Sequence, residues 1–150
     1  MESRFSPTLR IWTARFLIGF VVFINLHSAF SFLAHPSRYT TAYELIGVPG
    51  EAAIRGIAVL FLMWNIPYLF ALWQPLKNRV SLSESILMQT TGLAGETWLV
   101  YQIPLMHETL RHSIFRFIKF DSVGLLFLLI AIAITASLWK GTPSNSKTQG

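Results

Sequence analysis

Six ionisable side chains sit inside long apolar stretches of this chain: Arg15, His27, Arg55, Glu84, Glu96 and Asp121. A charge in hydrocarbon is expensive, so such residues face a bundle interior or a cavity, and they pair or do chemistry there. Depth sorts them into two layers. Arg15 and Glu84 lie just inside one face and are expected to form a structural ion pair. His27, Arg55, Glu96 and Asp121 lie towards the other face, one on each apolar stretch. Glu96 or Asp121 can serve as an acid or base towards a lipid substrate. An Arg55–Glu96 pair can equally do no more than fix helix register, and His27 can be a hydrogen-bonded helix contact. Both readings stay open: a structural pair, or a ligand, quinone or proton site.

The third apolar stretch carries a second pattern. Ser81, Ser85, Gln89, Gly92 and Glu96 fall within a sector of about 80° at helical periodicity. Small residues let helices approach closely, and Gln89 can hydrogen-bond across them. This face should turn inward, with Glu96 in reach of Arg55. The candidate ligand-binding cluster is therefore His27, Arg55, Gln89, Glu96 and Asp121. Haem held by two imidazoles is not expected, because only His27 lies on an unambiguous span, with His35, His107 and His112 in loops or interfacial segments. No His, Asp or Glu pair shows metal-ligand spacing on one helix, so no metal site is expected. G-x-S-x-G, P-loop and dinucleotide-binding patterns are absent from the sequence.

Four apolar stretches must position these residues: 11–33, 52–73, 80–103 and 114–139. Each meets the roughly 20 residues that a spanning helix requires. Composition agrees: 53% of the 150 residues are hydrophobic and 13% charged, too little polar surface for a soluble domain of this size. The predicted fold is an all-α polytopic membrane protein. Four antiparallel transmembrane helices form one bundle over 1–140, with a short interfacial helix between the first two, and 141–150 form a disordered polar tail. The first stretch is longer than the roughly 7–15 apolar residues of a signal peptide, so it reads as a retained span. With no cysteine, disulfides, thiol redox chemistry and iron–sulfur clusters are excluded. The net charge of +5 suits lipid headgroups at the span ends, and nucleic acid is not an expected partner.

Local signals refine the picture. Pro75 and the polar Lys77-Asn78-Arg79 make a short turn that leaves the second and third spans as antiparallel neighbours. Pro67 removes a backbone bond to the Met63 carbonyl and predicts a kink, with Asn65 near the freed groups. Tyr39, Ala42, Tyr43 and Ile46 share a helical face, predicting an interfacial helix closed by a Gly47-Val48-Pro49-Gly50 turn. Ile103, Met106, Leu110, Ile114 and Phe117 form a further stripe beside Arg111, His112, Arg116 and Lys119. Either an interfacial helix precedes the fourth span there, or that span starts near Phe120. Arg4, Arg10, Lys77, Arg79, Lys140 and Lys147 fall on one side, against Arg38, Arg111, Arg116 and Lys119 on the other. The positive-inside rule then places both termini in the cytoplasm, across the cell (plasma or inner) membrane, and Trp12, Trp73 and Trp139 form an aromatic belt on that side.

The run Phe32-Leu33-Ala34-His35-Pro36, then Tyr43-Glu44-Leu45-Ile46-Gly47-Val48-Pro49-Gly50, then Ile54-Arg55-Gly56, resembles the DoxX-like family of small four-helix membrane proteins. Arg15 matches an arginine early in that family's first helix. The resemblance implies an accessory or small subunit of a membrane redox system, with quinone as the cofactor. Two other readings stand beside it. One is a non-catalytic structural subunit of a larger membrane complex. The other is a lipid- or sterol-type ligand-binding membrane enzyme using Glu96 or Asp121. Partners in either case are the bilayer and other membrane subunits or a second copy. An accessible polar cavity favours ligand handling, and a packed centre with its ion pair satisfied favours the structural role.

Overall fold

A computed structural model describes residues 6–139. The helices are α1 (Pro7–Ala34), α2 (Ser37–Thr40), α3 (Gly47–Trp73), α4 (Arg79–Gln102) and α5 (Glu108–Trp139), with a 3-10 turn at Thr41–Tyr43. Three of them, α1, α3 and α5, are long and apolar enough to cross a bilayer, which makes this a helical membrane protein. Of the four spans expected, three qualify by this measure. At 24 residues α4 is long enough, but its inward stripe of Ser, Gln, Gly and Glu lowers its hydropathy. The expected polar tail at 141–150 lies outside the described residues, as do Arg4, Lys140 and Lys147 of the charge count.

The long helices pack in a ring, with α1 on α3 and α5, and α4 on α3 and α5. Each neighbouring pair runs antiparallel: a short turn joins α3 to α4, and arginines tie opposite ends of the other three pairs together. Arg15, near the start of α1, donates to the last carbonyls of α3, Leu72 at 3.0 Å and Trp73 at 2.6 Å. Arg10 reaches the end of α5, donating to the Ile134 carbonyl at 2.8 Å and to Ser137. Arg111, at the start of α5, donates to the end of α4, to Val100 at 2.6 Å and Ile103 at 2.8 Å. At the ends of α3 and α4 the final carbonyls have no intrahelical donor and carry the negative pole of the helix dipole, so a guanidinium there is favoured. The expected Arg15–Glu84 pair is therefore not made. Arg15 is held by backbone and by the Trp12 ring 5.1 Å away, and Glu84 stays exposed.

Trp12, Trp73 and Trp139 stand at this same end, where Arg79 lies 4.8 Å over the Trp139 ring. The main core fills this half of the bundle: Ala14, Ile18, Val21, Tyr68, Leu82 and Leu128 are buried together. Its outer surface is apolar, with Phe16, Phe23, Leu87 and Trp98 each about two-thirds exposed or more. A soluble protein would not carry such a surface, and lipid tails accept it. On α4, five hydroxyls return to their own backbone, among them Thr90 to Ile86 at 2.8 Å and Thr91 to Leu87 at 2.9 Å. That pairing leaves few free donors on its outer face.

The opposite end departs from expectation in three places. The helix predicted over 39–46 stops at Tyr43, and Glu44 takes a left-handed conformation at φ +54°. Ile46 leaves the shared face and becomes 89% exposed, while Tyr39 and Tyr43 turn against Phe32. Gly47-Val48-Pro49-Gly50 is the first turn of α3 and not a separate turn. There Gly50 is needed, since a Cβ would lie 2.9 Å from that of Leu45. The stripe before the fourth span belongs to α5, a single helix of 32 residues. Helix α3 continues through Pro67, and the buried Asn65 donates to the Phe61 carbonyl at 2.7 Å, not to that of Met63.

Candidate functional site

At the end away from the tryptophans, the bundle encloses a cavity of about 330 Å³ between α1, α3, α4, α5 and the 3-10 turn. Ligand pockets run from roughly 300 to 1,000 Å³, so this one suits a small molecule. Its polar wall begins on α4. Gln89 is 2% exposed and spans two helices. Its Oε1 accepts from the Tyr68 hydroxyl of α3 at 2.6 Å, and its Nε2 donates to Asp121 Oδ1 of α5 at 2.8 Å. The Tyr68 hydroxyl also lies 3.0 Å from the Ser85 carbonyl. This chain orients Asp121 into the cavity.

Two glycines make the arrangement possible. A Cβ on Gly92 would sit 2.7 Å from Asp121 Oδ2, and one on Gly124 would sit 2.8 Å from Gln89 Nε2. Those distances are below van der Waals contact, so α4 and α5 approach this closely only because both positions lack a side chain. One turn further along α4, Glu96 also faces the cavity. Its Oε2 is buried and has no hydrogen-bond partner among the described residues. The Tyr43 hydroxyl, on the same cavity wall, is likewise buried without a partner. Burial, and then the Glu96 carboxyl, push the Tyr43 phenol above its ordinary pKa.

The remaining wall is aromatic. Phe32, Phe61 and Phe117 pack with Tyr43, ring centroids 5.9 to 6.5 Å apart. Outside, a latch secures the Tyr43 segment. Glu44 Oε2 meets His107 Nδ1, Glu44 Oε1 accepts from the Leu110 backbone N–H at 3.3 Å, and Ser113 Oγ donates to the Ala42 carbonyl at 2.6 Å. The hydrogen bond with His107 is the main reason that the Glu44 carboxyl lies below its ordinary pKa.

Of the five residues of the expected cluster, four line this cavity: His27, Gln89, Glu96 and Asp121. Arg55 does not. It pairs with Glu51 one turn away, at 3.4 Å, on an exposed face of α3. Similar depth brought Arg55 and Glu96 together in the sequence reading, but depth does not fix the angle around a helix. The cation at the cavity is Arg116, an exposed residue that sequence analysis left among the basic flank. Asn25 was also missed. Its signal was present: Ala14, Ile18, Val21, Asn25, Ala29 and Phe32 recur at three- and four-residue steps as the buried face of α1. His27 stands off that face, exposed at the rim and stacked on Phe23 at 6.2 Å.

No family model, curated protein or solved structure matches this chain, so the DoxX-like resemblance rests on the quoted segments alone.

Proposed function

We propose that this protein is a small integral membrane protein that binds a lipid-soluble molecule with a polar head in the cavity beside Glu96. In this reading all four long helices cross the bilayer. The length of α4, about 36 Å at 1.5 Å per residue, suffices, and its polar stripe is turned inward. Both termini then share the tryptophan-lined side, which the positive-inside rule assigns to the cytoplasm.

The observation that carries the reading is the pair of buried, unpartnered polar atoms, Glu96 Oε2 and Tyr43 Oη, on one cavity wall. Leaving such a group unsatisfied costs about 1–3 kcal/mol each. A purely structural subunit gains nothing from that, whereas a binding protein recovers it when its ligand seats. A second reading, drawn from the DoxX-like resemblance, is an accessory subunit of a quinone-linked redox system. A quinone carbonyl would find donors in Tyr43 and Arg116.

The test is purification in mild detergent, with extraction and mass analysis of whatever small molecule stays bound. The parent should retain a stoichiometric ligand. Glu96→Gln should lose it while melting with the parent. If Glu96→Gln melts lower and the parent carries no ligand, the residue is structural and the proposal fails.

A further inference from the structure

We infer that the cavity selects a small lipophilic cation, an amine carried in its protonated form on an aromatic or alkyl body. This inference rests on the ligand-binding reading and adds the chemical class of the ligand.

Charge is the first argument. Two carboxyl groups, Glu96 and Asp121, line one small cavity. Among the described residues the ion pairs are Arg55–Glu51 and His107–Glu44, so neither cavity acid has a cationic side chain within 4.0 Å. Asp121 receives only the neutral amide of Gln89. Arg116, the cation of the wall, is exposed and acts on the Tyr43 side. Neither a neutral carbonyl head nor an anionic one gives the two acids a charge partner. A cation between them supplies the close partner that neither acid has among the described residues.

Hydrogen bonding is the second argument. Glu96 Oε2 is a buried acceptor with no donor. A primary ammonium brings three donors and a tertiary one brings one. A quinone brings none.

The rings are the third. Tyr43, Phe32, Phe61 and Phe117 contact one another around the space that the acids face. Aromatic faces are negative and attract a desolvated cation, while the same rings pack the apolar body of the ligand.

The full chain is reconstituted in uncharged phosphatidylcholine nanodiscs, and binding is measured by calorimetry against empty discs. The probes are phenylbutylamine, its uncharged counterpart phenylbutanol, and decylubiquinone. Phenylbutylamine should bind, with phenylbutanol at least about tenfold weaker. Glu96→Gln and Asp121→Asn should each weaken the amine by about tenfold and leave the alcohol unchanged. Arg116→Gln should tighten the amine. The comparison of amine with alcohol uses the parent protein and survives any variant that fails to fold. If phenylbutanol or decylubiquinone binds as tightly as the amine, or Arg116→Gln weakens the amine, the cation class is wrong while the cavity still binds ligand. If no probe binds and the parent carries no extractable ligand, both readings fall.

Discussion

Replacing Gly124 by alanine sets two effects of known size against each other. Within a helix, alanine is favoured over glycine by about 0.8–1 kcal/mol. At Gly124 the new Cβ meets Gln89 Nε2 at 2.8 Å and Gln89 Cδ at 3.3 Å. The amide is the far end of a side chain, but bonds to Asp121 at 2.8 Å and from Tyr68 at 2.6 Å hold it in place. Moving it breaks one or both. Hydrogen bonds between membrane helices average about 0.6 kcal/mol and reach about 1.7, so the loss is about 1–3 kcal/mol. The net effect of Gly124→Ala is then a destabilisation of about 0–2 kcal/mol. In a Gln89→Ala background the amide is gone, and the remaining neighbour, Val21 Cγ1 at 3.6 Å, is at ordinary contact distance. There the same substitution should stabilise by about 1 kcal/mol. Unfolding free energies in mixed micelles, taken around the double-mutant cycle, give the coupling directly. A change equal in both backgrounds would refute the argument that Gly124 exists to admit Gln89.

Three further outcomes follow from the geometry. Arg55→Gln should shift stability by under about 0.5 kcal/mol in the same unfolding assay, because its pair with Glu51 is an exposed i, i+4 contact. Arg15→Gln should cost about 1 kcal/mol, with the loss partly restored by lysine, since the guanidinium serves the end of α3. Glu44 has a folded-state pKa below its unfolded one, so its contribution is present above the ordinary carboxylate range and fades as pH falls through the lowered value. Protection factors at 41–46, taken against the intrinsic exchange rate at each pH, should therefore fall on acidification and become less pH-dependent in Glu44→Gln. An unchanged profile in that variant would show that the latch does not hold the segment.

Much of the bundle was legible because period and length are strong signals in lipid. The stripe Ser81, Ser85, Gln89, Gly92 and Glu96 pointed inward as read, with Ser85 and Gln89 buried. The pairings were not legible. Arg15 and Arg55 were assigned carboxylate partners by depth, yet one serves backbone carbonyls and the other its own helix. A carbonyl at a helix end is as good a partner as a carboxylate and leaves no mark in the sequence. Tyr43 and Ile46 parted company because Glu44 turns left-handed. That turn accompanies contacts to His107 and Leu110, more than 60 residues away. Local periodicity carries no information about them. The same holds for Arg116, whose place at the cavity depends on α5 being one continuous helix.

The three arginine ties between helices bear on how the chain assembles. Arg10 and Arg15 leave the ribosome with α1, before the carbonyls that they serve have been made. Until α3 arrives, Arg15 must rest among headgroups, and Arg10 must wait for the end of α5, 124 residues later. Each guanidinium thus acts as a checkpoint that closes only on the right helix in the right direction. An inverted α3 or α5 would present amide N–H groups to a cation instead of carbonyls. Orientation errors in a chain this short would then be penalised at the ends of the helices, well away from the cavity and without constraining the side chains that line it.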